Sequence, residues 1–186
     1  MRKIIAFEWL SLDGFISGPN GENDWFVWDE EIEKYAKEFQ TTIDTMLFGR
    51  KTYEIMVAYW PTEASATENP MITNFMNNTD KIVFSKTLEK VEWNNSTLVK
   101  GINPEEIKKL KGQAGKDIII YGSGSIVSQL MKLNLLDECR LMLNPIVLGS
   151  GMPLFQNIEE KANLELANTK TFKIGTVLLT YHAGNK

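Results

Sequence analysis

Three stretches of this chain place glycine, hydroxyls or cations where a short apolar run ends. Ile118-Ile119-Ile120-Tyr121 runs into Gly122-Ser123-Gly124-Ser125-Ile126. Thr45-Met46-Leu47-Phe48 runs into Gly49-Arg50-Lys51-Thr52, and Ile82-Val83-Phe84 into Ser85-Lys86. The first two read as a buried strand, a tight turn and a helix that opens at the turn. Such a turn bares backbone N–H groups where the helix dipole also favours an anion. Arg50 and Lys51 stand at a helix start against the dipole, a conflict that a bound anion resolves. The planar fork of arginine suits phosphate, and Thr52 can cap the helix or donate to an oxygen. Strand ends of an open sheet face a common crevice. One ligand with several phosphates, as in a dinucleotide, explains all three.

Neither standard phosphate motif applies. Gly122-x-Gly124 is half of a dinucleotide fingerprint, but Val127 stands where the third glycine belongs. Gly49-Arg50-Lys51-Thr52 lacks the earlier glycine of a P-loop. Each stretch also has a plainer reading, as a tight turn or a solvated basic end.

Other chemistry is thinner. Asp24, Asp29, Glu30 and Glu31 lie beside Trp25 and Trp28, so one of them could donate a proton in an apolar setting. The same acids also suit a helix start. Asp13, in the turn Ser11-Leu12-Asp13-Gly14, joins Asp29 and Glu30 as a candidate catalytic carboxylate. Trp9, Trp25, Trp28 and Trp60 can stack on a planar ring or simply pack. Cys139 lies in an alternating strand pattern and reads as a core thiol. With one histidine and one cysteine, a His- or Cys-rich zinc site is excluded by count, and no metal is expected. No Gly-x-Ser-x-Gly nucleophile elbow is present.

The elements that must position these residues follow from periodicity. Residues 3–10 predict a strand and residues 17–24 a loop of turn formers. From Asp29, the residues Ile32, Tyr35, Ala36, Phe39 and Ile43 recur at helical spacing. Strands are predicted at 45–48, 81–85 and 117–121. Asn69-Pro70 and Asn103-Pro104 are cap-plus-proline starts of helices reaching about Asn78 and Gly112. A further helix should run from the Gly-Ser turn to about Leu133. The last third is β-rich, with strands at 138–148, 165–172 and 176–182. Strands alternating with helices, then a β-rich tail, imply a mixed sheet with helices on both faces.

The chain has 186 residues, enough for one domain by the usual prior of roughly 150 residues each. It is 43% hydrophobic and 24% charged, ordinary for a globular protein. A net charge of -4 without a basic run gives no nucleic-acid footprint. No apolar stretch approaches the roughly 20 residues of a membrane span. A single cysteine and a start that reads as a strand rather than a signal peptide fit the cytoplasm.

Taken together, these residues resemble the dihydrofolate reductase superfamily, and within it the reductase domain of the bifunctional riboflavin-biosynthesis deaminase-reductase. The matching pieces are Ser11–Ile16, Leu47–Thr52, Lys81–Leu88, Tyr121–Gly124, Leu136–Leu141 and Pro145–Phe155. They come in family order and span nearly the whole chain. The segment Pro145–Phe155 points to the riboflavin branch.

The resemblance implies a single domain over 1–186, a three-layer α/β/α fold around a mixed, mostly parallel sheet of about eight strands, and an NADPH site. Arg50, Lys86 and Ser85 would meet the 2′-phosphate. Gly49 and the turn after it, with Lys51 and Thr52, and Gly122, Ser123, Gly124, Ser125 and Ile126 would meet the pyrophosphate. Asp13–Asp24 would be a mobile loop over the nicotinamide. The likeness also implies a cis Gly122–Ser123 peptide and a homodimer, with the apolar run Leu141–Leu148 as a candidate interface. Replacing Gly124 by Val is expected to block the cofactor and leave the fold intact. The implied activity is NADPH-dependent reduction of a pteridine-like or ribitylamino-pyrimidine-like small molecule, as in 5-amino-6-(5-phosphoribosylamino)uracil reductase or dihydrofolate reductase. The alternative is a non-catalytic nucleotide-binding module of the same fold. The zinc-binding deaminase half has no counterpart in these residues, and several carboxylates compete for the place of the dihydrofolate reductase acid.

Overall fold

The computed structural model of the chain describes residues 1–183. In chain order the elements are β1 (Ile4–Leu10), β2 (Phe15–Ser17), α1 (Glu30–Gln40), β3 (Ile43–Gly49), α2 (Arg50–Tyr59), α3 (Glu63–Glu68), α4 (Pro70–Asn78), β4 (Asp80–Phe84) and β5 (Ser96–Val99). They continue as α5 (Pro104–Gly112), β6 (Asp117–Ile120), α6 (Gly124–Lys132), β7 (Glu138–Leu143), β8 (Met152–Pro153), β9 (Leu164–Thr171) and β10 (Val177–Ala183). Eight strands form one sheet in the order β5-β4-β3-β6-β1-β7-β10-β9. All neighbours from β5 to β7 pair in parallel, while β10 runs against both β7 and β9. The sheet is therefore mixed and mostly parallel.

Strand β1 shows how the layers form. Side chains alternate across a sheet, so Ile4, Ala6 and Leu10 join one core cluster, and Ile5 and Phe7 the other. The first cluster takes Ile107 of α5 and Ile126, Val127 and Leu130 of α6. The second takes Ile32 and Phe39 of α1, Tyr53 of α2 and Met76 of α4. The sheet is thus sandwiched between two helical layers.

Two predicted boundaries move. Ile43 opens β3 rather than extending α1, because Thr41 and Thr42 turn their hydroxyls onto the carbonyls of Glu38 and Phe39 and end the helix. The strand expected over 138–148 stops at Leu143. Pro145 has no N–H to donate, and the buried Asn144 amide donates to the carbonyls of Leu10 and Met142. Four short elements went unpredicted. Strands β2 and β8 pair as a separate two-stranded ribbon, α3 follows the Thr62 cap, and β5 is the outer strand beside β4.

Candidate functional site

Strands β4, β3, β6 and β1 are parallel neighbours, so their C-terminal ends lie side by side along one edge of the sheet. A cleft of about 1540 Å³ opens there. That exceeds the roughly 300–1,000 Å³ of an ordinary small-ligand pocket and leaves room for a dinucleotide beside a second molecule. Gly49, Arg50, Lys51, Thr52, Ser85, Lys86, Gly122, Ser123, Ser125 and Ile126 all line it. Three strand ends read separately from the sequence meet in one place.

Local structure explains how. Gly49 caps α2 and its N–H donates to the Gly122 carbonyl at 3.4 Å, joining the two turns. A Cβ on Gly122 would stand 3.0 Å from Thr52 Oγ1, and its φ of +81° is the left-handed region that suits glycine. The Gly122–Ser123 peptide is cis. Helices α1, α3 and α5 are capped by Asp29, Thr62 and Asn103 side chains and carry acids in their first turns. Helices α2, α4 and α6 have neither a side-chain cap nor an acid there, and of these α2 and α6 start directly at strand ends on the cleft. Their first N–H groups stay available to an anion, which fits the phosphates of a nucleotide.

Some of the predicted ligands carry other duties. Ser85 Oγ accepts the N–H groups of Thr87 and Leu88 at 3.2 and 3.0 Å and so holds the turn after β4. Arg50 pairs with Glu54 at 3.6 Å across one helical turn, with both side chains nearly half exposed. Ser123 and Ser125 share a hydrogen bond of 2.7 Å. Lys100, which the sequence reading missed, adds a fourth cation to the lining.

Gly124 turns away from the cleft. A Cβ there would run into the Leu154 carbonyl oxygen, far inside van der Waals contact. The expectation that Gly124→Val blocks a ligand while sparing the fold is therefore corrected: this glycine lets α6 pack against the Leu154 backbone.

The structure does not bring the three candidate catalytic carboxylates into the cleft. Asp13 is exposed and accepts from the Leu148 and Gly149 N–H groups at 3.2 and 2.7 Å. The Ser11 hydroxyl, then those two N–H groups, hold it below the ordinary carboxylate range. Asp29 accepts from Ile32 N at 2.8 Å as the cap of α1. Glu30 is exposed in the first turn, and the inward positions of α1 are the apolar Ile32, Ala36 and Phe39.

The buried carboxyl in the cleft is Glu8, 6% exposed towards the end of β1; Glu54 also lines the cleft but is nearly half exposed and paired with Arg50. Glu8 Oε1 accepts the Gly122 N–H at 2.8 Å. Burial pushes its pKa up to about 8, against the pull of that N–H. At neutral pH the carboxyl is mostly protonated and can donate. One signal for it stood in the sequence: an acid at the centre of an otherwise apolar strand, Ile4-Ile5-Ala6-Phe7-Glu8-Trp9-Leu10. On the other face of β1, Trp9 stacks on Phe26 with ring centroids 5.4 Å apart and lies 5.7 Å from Trp28 in a tilted arrangement.

The family model of the RibD C-terminal domain matches residues 2–178. The chain belongs to that family. Its relatives include the uncharacterised Bacillus subtilis protein YyaP, 37% identical over 181 residues, 97% of this chain and 95% of YyaP. Among solved structures, a Shewanella sp. PV-4 protein whose name links it to riboflavin biosynthesis superposes with a TM-score of 0.78 at 23% identity, covering 98% of this chain and 99% of that one. The dihydrofolate reductase of Enterococcus faecalis, solved with NADP(H), gives a TM-score of 0.65 at 19% identity, covering 98% and 97%. These two likenesses are of fold. This RibD C-terminal domain thus has a reductase family's frame, with its cleft at the same strand ends that the sequence singled out. Among the described residues, no helix is long and apolar enough to cross a membrane.

Proposed function

We propose that the protein is an NADPH-dependent reductase of a pteridine-like or pyrimidine-like small molecule. The observation that supports this best is the convergence of Gly49–Thr52, Ser85-Lys86 and the Gly122 turn on one cleft that also holds the buried Glu8 carboxyl. In this reading Arg50 and Lys86 meet the 2′-phosphate, and the starts of α2 and α6 meet the pyrophosphate. NADPH held by these residues would supply the hydride, leaving as NADP+. Reducing a C=N bond also takes one proton onto nitrogen, and Glu8 is the buried carboxyl that can hold it. The aromatic walls exclude water from the reacting atoms. The residues around the cleft fit this better than a bare nucleotide-binding module, which has no use for a buried acid in a cleft lined by aromatic rings.

The cofactor assignment is tested by titrating NADPH and NADH at fixed salt and following nicotinamide fluorescence. Charge-assisted hydrogen bonds to phosphate are worth about 1.5–3 kcal/mol each, so NADPH should bind at least tenfold tighter. Arg50→Ala should remove most of that difference. Equal affinities for the two cofactors rule the assignment out.

We also infer a homodimer. Leu143, Leu179 and Tyr181 lie half-buried beside exposed Leu166 on the part of the sheet formed by β7, β10 and β9. The apolar run Leu141–Leu148 would join such an interface through a face of the sheet and not through an edge, because β7 is paired on both edges, by β1 and by β10.

A further inference from the structure

Asn144 stands where two neighbouring strands part. The last paired residues of β1 and β7 are Leu10 and Leu143, and Pro145 has no N–H with which to carry the pairing on. Between them sits a fully buried amide. Its Nδ2 donates to the Met142 carbonyl at 3.0 Å and to the Leu10 carbonyl at 3.2 Å, which also accepts the Asn144 N–H at 2.7 Å. Its Oδ1 accepts the Val27 N–H at 3.4 Å. Two carbonyls on one side and an N–H on the other decide which end of the amide is oxygen, and they occupy both donors and the acceptor. A buried polar group satisfied in this way is held in one orientation.

Val27 lies between Phe26 and Trp28, the two residues whose rings meet Trp9, and all three rings line the cleft. Trp9 is held in β1 opposite Met142 of β7. Phe26 and Trp28 belong to a stretch outside helix and strand. Two bonds there, Trp25 Nε1 to the Glu22 carbonyl and the Phe26 N–H to the Asn23 carbonyl, both 3.3 Å long, tie the loop to itself. The Val27 bond to Asn144 ties it to the sheet.

We propose that Asn144 is a positioning residue, whose amide sets Phe26 and Trp28 against Trp9 and so places the aromatic wall of the cleft. The use of that wall, to keep water from the reacting atoms, rests on the reductase reading; the inference goes beyond that reading in naming the group that holds the wall. The side-chain chemistry is specific. An ionised aspartate has no donor for the two carbonyls, a leucine fills the space without a bond, and a glutamine is one methylene too long for a site already filled.

The test is circular dichroism of the full chain without cofactor, in which tryptophan rings 5.7 Å apart give an exciton couplet. Trp28→Phe should abolish the couplet and so assign it to the Trp9–Trp28 pair. Asn144→Leu removes the acceptor of the tether, and Val27→Pro removes its donor, since proline has no N–H. A neutral hydrogen bond moves an equilibrium about three- to tenfold, so each variant should cut the couplet at least about twofold, and the double variant no further. Asn144→Leu also leaves the buried Met142 carbonyl with one partner fewer and costs stability. Val27→Pro leaves that amide in place, and it decides the matter where Asn144→Leu does not fold. Its NADPH affinity, read by nicotinamide fluorescence, should stay within about threefold of wild type, because the cations assigned to the phosphates lie on other elements. A wild-type chain without the couplet, a folded Val27→Pro chain with the full couplet, or a double variant well below both singles overturns the inference. Failure of the wild type to bind NADPH overturns the reductase reading instead, and the couplet still decides what Asn144 holds.

Discussion

Glu8 concentrates the chemistry of this cleft in one side chain. Its carboxyl is buried, receives a single backbone N–H and is pushed to about 8. The sign of its linkage is that of a raised acid. Between its ordinary 4.5 and about 8 the folded chain keeps a proton that the unfolded chain has released, so stability falls as pH rises through that window. Glu8→Gln keeps an acceptor for the Gly122 N–H and removes the ionisation. Chemical denaturation of the wild type should show falling stability from pH 5 to 8, and the variant should lose that slope. The variant should also lower kcat about 10²–10⁴-fold with little change in NADPH affinity, as expected when a proton donor is removed. A variant with full kcat would take Glu8 out of the reaction. Acid candidates chosen from the sequence clustered around Asp29 because acids beside tryptophans look like a site. The plainer reading of Asp29 and Glu30 as a helix start is the one the structure bears out. Glu8 was hidden because burial at the end of a parallel strand depends on β6 and β7, which come over a hundred residues later.

At the scale of elements, most of the frame was legible because each boundary had a local cause. Asn103-Pro104 starts α5, the apolar triplet Ile118–Ile120 makes β6, and the Gly-Ser turn opens α6. What escaped was pairing without a pattern. Strand β8 has two residues, and β2 exists because Gly151 lets its backbone come against Ser17. The role of Gly124 escaped for the same reason: its neighbour, Leu154, is thirty residues away and contributes only a carbonyl. Gly124→Val should therefore act on the packing of α6. Backbone on that side cannot yield as a flexible side chain would, so the variant should lose about 1–3 kcal/mol, read as a lower denaturation midpoint at unchanged m-value. A variant that retains wild-type stability and loses only NADPH binding would restore the original view of Gly124 as a cofactor contact.

At the scale of the molecule, the two ends of the sheet differ. From β5 to β1 both faces are covered by helices, and the strand ends form the cleft. From β7 to β9 one face carries Leu143, Leu179, Tyr181 and Leu166 with partial cover, and β9 is an edge strand exposed along most of its length. Long exposed edges and contiguous apolar rows are the surfaces that soluble chains normally hide. A two-fold arrangement hides both at once, because the same row then meets itself. The cations of the cleft follow β3, β4 and β5, at least three strands from β7, so Arg50, Lys51 and Lys86 stay out of such an interface. Sedimentation at micromolar concentration should give a dimer. Leu166→Glu, at a residue 53% exposed in the single chain, should shift it toward monomer by placing two like charges across the interface. Because Leu166 is far from Trp9 and Arg50 in the sheet order, the monomer should still bind NADPH. A wild-type chain that sediments as a monomer would leave this face to another partner. A Leu166→Glu monomer that loses NADPH would show instead that the second copy supports the cleft.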